Sequence, residues 1–163
     1  VTRKIEMLST YTKAACLGLI AGMRTMSAPA LVSGMLTATC SDELVGTPLE
    51  WFALPTTAAV FKLLAAGELI ADKLPGVPAR IEPGALIGRG VMGALSGSAV
   101  CVADGEGMVE GAVIGALSAV ASAFAFYHLR RWLTEATPLP DSAVAVAEDA
   151  LALGLGRRAL RAE

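Results

Sequence analysis

The chain has 163 residues, 55% of them hydrophobic and 17% charged, with a formal net charge of −2 and a mean hydropathy of +0.62. Soluble domains carry roughly 25% charged residues and disordered chains pair low hydrophobicity with high net charge, so disorder is excluded and a small helical membrane protein is indicated. No basic patch is interleaved with aromatics and the pI is about 5.5, which excludes a nucleic-acid binder.

Five weakly polar segments follow one another. The first, 14–38, carries Arg24 near its middle and Pro29 five residues later. Proline lacks an N–H and clashes with the carbonyl four residues back, so it predicts a kink or break there. Backbone groups freed beside Thr25 and Ser27 are then available to line a cavity. Lys13, the apolar run 14–23 and Ala28-Pro-Ala30 also mimic a cleaved signal peptide. Arg24, and hydrophobicity resuming through Leu36, speak against cleavage.

The second segment, 51–71, holds Lys62 centrally and Glu68 near its end, with Asp72 one turn beyond Glu68 on the same face. The third, 84–103, has Arg89 near one end, where a long side chain can snorkel to the interface. The fourth, 108–129, lacks internal charge apart from Glu110 near its start. A span needs roughly 20 apolar residues, so these four qualify by length. The fifth, 142–156, is shorter and places Glu148 and Asp149 at its middle.

Lys and Arg occur at the N-terminus (Arg3, Lys4, Lys13) and after segments two and four (Lys73, Arg80; Arg130, Arg131), and avoid the loops after segments one and three. The positive-inside rule then predicts four spans with a cytoplasmic N-terminus. Arg157, Arg158 and Arg161 conflict with a fifth full span, which leaves segment five either re-entrant or inserted by packing. One membrane domain covers 1–163, with a cytoplasmic segment 1–13, a core 14–156 and a basic tail 157–163.

Glycine pairs four apart recur at Gly18/Gly22, Gly84/Gly88, Gly93/Gly97, Gly107/Gly111 and Gly111/Gly115. Such stripes let helices approach closely in lipid, within the chain or between two copies of a homodimer. Gly18–Gly22 and Gly111–Gly115 open segments one and four alike, a weak internal repeat that with five spans would be an inverted one. Cys16, Cys40 and Cys101 are dispersed, and no metal site, cofactor motif or catalytic constellation is present, so the chain reads as a non-enzyme.

A central charge costs about 2.5–3.5 kcal/mol on insertion scales. Arg24 and Lys62 therefore call for counter-ions, first Glu148 or Asp149 and then Glu68. Such a network either fixes helix register or lines a polar site near mid-membrane.

Gly22-Met-Arg-Thr-Met-Ser-Ala-Pro29, Gly67-Glu-Leu-Ile-Ala-Asp-Lys-Leu-Pro-Gly76, Phe126-Tyr-His-Leu-Arg-Arg131, Pro140 and Glu148-Asp149 together resemble the domain of unknown function 4126 family of small bacterial membrane proteins. The resemblance spans 18–156 and implies an integral membrane protein of unassigned activity. It marks Arg24, Pro29, Glu68, Asp72, Lys73, Pro75, Glu148 and Asp149.

The expectation is thus an all-α polytopic bundle in the bacterial inner membrane, four spans plus a fifth short or re-entrant helix. Its leading function is passage of a small solute or ion through Arg24, Lys62, Glu68, Asp72, Glu148 and Asp149. The alternative is a structural or accessory protein whose charges only set packing. A water-reachable cavity around the charges favours the first, and dry burial the second.

Overall fold

Proline and turn residues punctuate the chain into helices. A computed structural model describes residues 2–39, 42–71, 81–136 and 141–161. Among them are six α-helices and no strand: α1 (Thr2–Met23), α2 (Ser27–Thr39), α3 (Pro55–Ala71), α4 (Pro83–Ala103), α5 (Met108–Ala136) and α6 (Asp141–Arg161). Short 3-10 turns at Asp42–Leu44 and Glu50–Ala53 join α2 to α3. Pro55 and Pro83 open their helices, where the missing N–H has no partner to lose. Gly105, at φ 73°, turns the chain between α4 and α5, a left-handed conformation that suits a residue without Cβ.

The first segment is two helices rather than one kinked span. The break falls at Arg24–Met26, four residues before Pro29, where the proline ring would meet the Thr25 carbonyl. Pro29 itself lies in the first turn of α2 and is fully buried. Beyond the break the chain turns back, so that Gly156 of α6 lies against both Ile20 of α1 and Leu31 of α2.

The helices then alternate in direction. Glycines bring α4 and α5 together antiparallel, Gly93 opposite Gly115 and Gly97 opposite Gly111, while α1 runs parallel to α5, Gly18 at Gly115 and Gly22 at Ala119. A Cβ on Gly93 would stand 2.6 Å from the Gly115 carbonyl oxygen, closer than any real side chain comes. Ser122 Oγ donates to the Leu19 carbonyl at 2.7 Å across the same seam. In contrast, a Cβ on Gly84 or Gly88 would meet no atom of the described residues within 4 Å, and one on Gly107 would meet Glu110 of its own turn first.

Two expectations change with this geometry. Thr10 Oγ1 donates to Asp104 Oδ2 at 2.8 Å and Lys13 Nζ reaches the same oxygen at 3.1 Å, so the start of α1 shares an end of the bundle with the α4–α5 loop. The charge pattern put them on opposite sides, because it counted 14–38 as one crossing. The internal repeat also stops at the break, since α5 continues as helix through Leu117–Ala119, the counterpart of Arg24–Met26. The fifth segment, for its part, extends past Gly156 to Arg161 as one helix.

Two of the described helices, α4 and α5, are long and apolar enough to cross a membrane. The four-span arrangement goes further than that observation. On α5 the distribution of side chains is inverted relative to a soluble core. On α5 the buried residues are Gly111, Gly115, Ala119, Ser122 and Ala123, whereas Val113, Leu117 and Phe124 face outward. Leu63 and Ile70 of α3 and Ile87 of α4 are 73%, 67% and 66% exposed, while Arg24, Arg89 and Glu148 are buried. A more ordinary apolar cluster, with Leu36, Leu44, Phe52 and Phe61, fills the opposite end of the bundle.

Candidate functional site: a charged helix turn

The turn between α1 and α2 exposes helix ends inside the bundle. Helix termini leave unpaired carbonyls at one end and unpaired N–H groups at the other, with partial negative and positive charge respectively. Burying such ends demands partners of opposite sign. Two neighbouring helices supply them, and a third supplies a counter-ion to the turn between them.

Arg89 of α4 donates from Nη1 to the Gly22 carbonyl at 2.7 Å, placing a cation on the C-terminal turn of α1. Glu68 of α3 accepts from the Thr25 and Met26 amides, one carboxylate oxygen each, both at 2.8 Å. Met26 in turn accepts the Ala30 N–H at 3.1 Å and so starts α2. An anion thus sits at the N-terminal end of α2, where the helix dipole favours it.

Arg24 stands in the turn itself. Its Nε contacts Asp149 Oδ1 of α6 at 2.6 Å, with the two side chains 3% and 20% exposed. The expected partnership of Arg24 with the acids of segment five is therefore realised through Asp149. Glu148, its neighbour, is buried and lines a cavity of about 150 Å³ between α5 and α6, with Arg130, Phe126, Leu129 and Leu151. Consecutive helical residues diverge by about 100°, so the two acids leave α6 in different directions.

Lys62 does not join this group. It is exposed on α3, beside Gly34 of α2, in a shallow groove of about 270 Å³ between α2, α3 and α6. Its position follows from the helix period. Ala58, Phe61, Ala65 and Glu68 form the inward face of α3, and Lys62 lies about 100° from Phe61. Asp72, like Lys73 and Pro75, lies outside the described residues.

Arg89 is the residue that sequence reasoning undervalued. Read as a snorkelling boundary cation, it is in fact 7% exposed and caps α1. Its signal was spacing. Arg89, Gly93 and Gly97 recur every four residues, so the stripe that packs α4 inward includes the arginine.

The arrangement is placed at helix ends rather than midway along a span. Chemically it holds ions against backbone dipoles and against each other, with little room for a solute at Arg24. No family model, curated protein or solved structure matches the chain.

Proposed function

We propose that the chain is a multi-pass inner-membrane protein of the structural or accessory class, whose buried charges lock a helix turn. The observation carrying this reading is the dry burial of Arg24, 2% exposed, with Asp149 against its guanidinium and Glu68 on the adjoining amides. A pathway residue needs water or solute beside it. Arg24 has protein instead.

Membrane residence is supported by α4 and α5 and by the outward-facing large aliphatic side chains set over an interior of Gly, Ala and Ser. Within lipid, apolar side chains gain little by burial, so small residues take the helix contacts and polar groups the interior. The resemblance to the domain of unknown function 4126 family agrees with that setting. A second copy of the chain would find Gly84 and Gly88 open for close approach.

Transport is the second reading, favoured by one feature. Glu148, buried to 6% exposure, lines the α5–α6 cavity together with Arg130, so an ionisable group does border open volume.

Two measurements test the proposal. After alkaline carbonate extraction of expressing cells the chain should stay in the membrane pellet, and release into the supernatant contradicts membrane residence. Hydrogen exchange in lipid nanodiscs should find the Thr25 and Met26 amides as protected as those of α5. Exchange at loop rates would mean a wetted turn and would favour transport.

A further inference from the structure

The groove between α2, α3 and α6 is not used by the locked turn. Its walls are Ala30 and Leu31 of α2, Ala65 and Leu69 of α3, and Leu153 of α6, all apolar, with Ser27 of α2 the one hydroxyl. One charged residue, Lys62, lines it. The groove runs about 10 Å from Lys62 to Leu69, two turns of α3.

Lys62 is exposed and lies across α2. Its stem crosses α2 at Gly34, where a Cβ would stand 3.4 Å from Lys62 Cε and 3.7 Å from Nζ. Any longer side chain at position 34 would compete for that seat. Glu68, the nearest acid along α3, turns inward to the Thr25 and Met26 amides instead. No carboxylate of the described residues lies within ion-pair distance of Lys62. The ammonium therefore faces a largely apolar groove without a counter-charge among the described residues.

An apolar channel ending at one seated cation is complementary to an anionic amphiphile. We infer that this groove binds an anionic phospholipid, its phosphate at Lys62 and the start of an acyl chain along Ala30, Leu31, Ala65 and Leu69. Lys62 lies toward the C-terminal end of α2, so the headgroup enters from that end and the chain runs toward the charged turn. Leu153 closes the groove from α6, the helix that also carries Asp149 to Arg24. Lipid in the groove thereby packs against the element that completes the lock. The inference rests on the membrane reading above.

The test uses the full chain in a neutral detergent, with thermal unfolding followed as lipid is added. Phosphatidylglycerol should raise the Tm, and phosphatidylcholine with identical chains should leave it nearly unchanged. Lys62→Gln should remove that difference while leaving the Tm without lipid where it was, because Lys62 is exposed and makes no ion pair with the described residues. Lys62→Arg should retain it. Ala66→Phe, which fills the groove without touching the charge, should also abolish the phosphatidylglycerol response. Arg158→Gln, an exposed cation elsewhere on α6, should not.

A Lys62→Gln protein that keeps the full response overturns the site, as does equal stabilisation by the two lipids. Oleate active where phosphatidylglycerol is inert would reassign the groove to a fatty-acid carboxylate and overturn the phospholipid. Failure of the two readings is separable. A chain released by carbonate yet stabilised through Lys62 loses membrane residence and keeps the groove; one retained in membranes but indifferent to phosphatidylglycerol does the reverse.

Discussion

At the scale of single residues, Arg24, Glu68 and Arg89 act as counter-charges to a reversal of the backbone. Arg24→Gln leaves Asp149 without its cation. Complete burial would make that loss about 3–5 kcal/mol. Asp149 keeps 20% exposure, so about 1–3 kcal/mol is expected. The pair Arg24→Gln with Asp149→Asn should recover part of it, a coupling of about 0.5–3 kcal/mol in a thermal or denaturant cycle. Additivity within about 0.3–0.5 kcal/mol would mean the contact contributes nothing specific. Glu68→Ala removes the acceptor of two amides at once. Loss of one cap costs about 0.5–2 kcal/mol, so destabilisation at or above the top of that range is expected from unfolding in detergent. A neutral outcome would show that water satisfies the Thr25 and Met26 amides equally well.

At the scale of elements, the seams between α1, α4 and α5 depend on glycines that admit backbone contact. Gly93→Leu or Gly97→Leu would drive a side chain into the Gly115 or Gly111 carbonyl. Overpacking of this kind costs about 1–3 kcal/mol or more. Leu at the exposed Ala125 of α5 serves as the control and should be tolerated. Thermal stability that falls equally for all three would place the glycines away from the interface. These stripes were legible in the sequence because backbone-close helices need small residues four apart. The inward face of α6 was legible in part, through Glu148, Ala152 and Gly156. What the sequence concealed was the fold-back after Met23. A proline midway along a hydrophobic segment is compatible with a kinked span and with a second helix starting afresh. Only the carboxylate of Glu68, 42 residues away at the Met26 amide, decides between them. Lys62 was misplaced for a related reason. Centrality within an apolar run says how deep a residue lies along the helix and nothing about which face it occupies.

At the scale of the whole molecule, the reversal at Arg24–Met26 changes which chain segments share an end. Cysteines introduced at Thr12 and Glu106 should react from the same side of sealed membranes, since Lys13 bonds Asp104 across that end. Labelling from opposite sides would break the antiparallel pairing of α1 with α4. Both ends then carry Lys and Arg, which explains why counting loop charges was ambiguous for this chain. Under the proposed reading, Arg24 is buried for packing, among fully buried apolar neighbours such as Ile20, Met23 and Ala28. The most direct measurement of that claim is thiol reactivity at Ala28, a fully buried residue beside the turn. With Cys16, Cys40 and Cys101 replaced by alanine, Ala28→Cys should resist a charged methanethiosulfonate in native membranes and react only after denaturation. Rapid modification in the native membrane would show water at the turn, contradict the dry lock, and return Arg24 to a solute pathway.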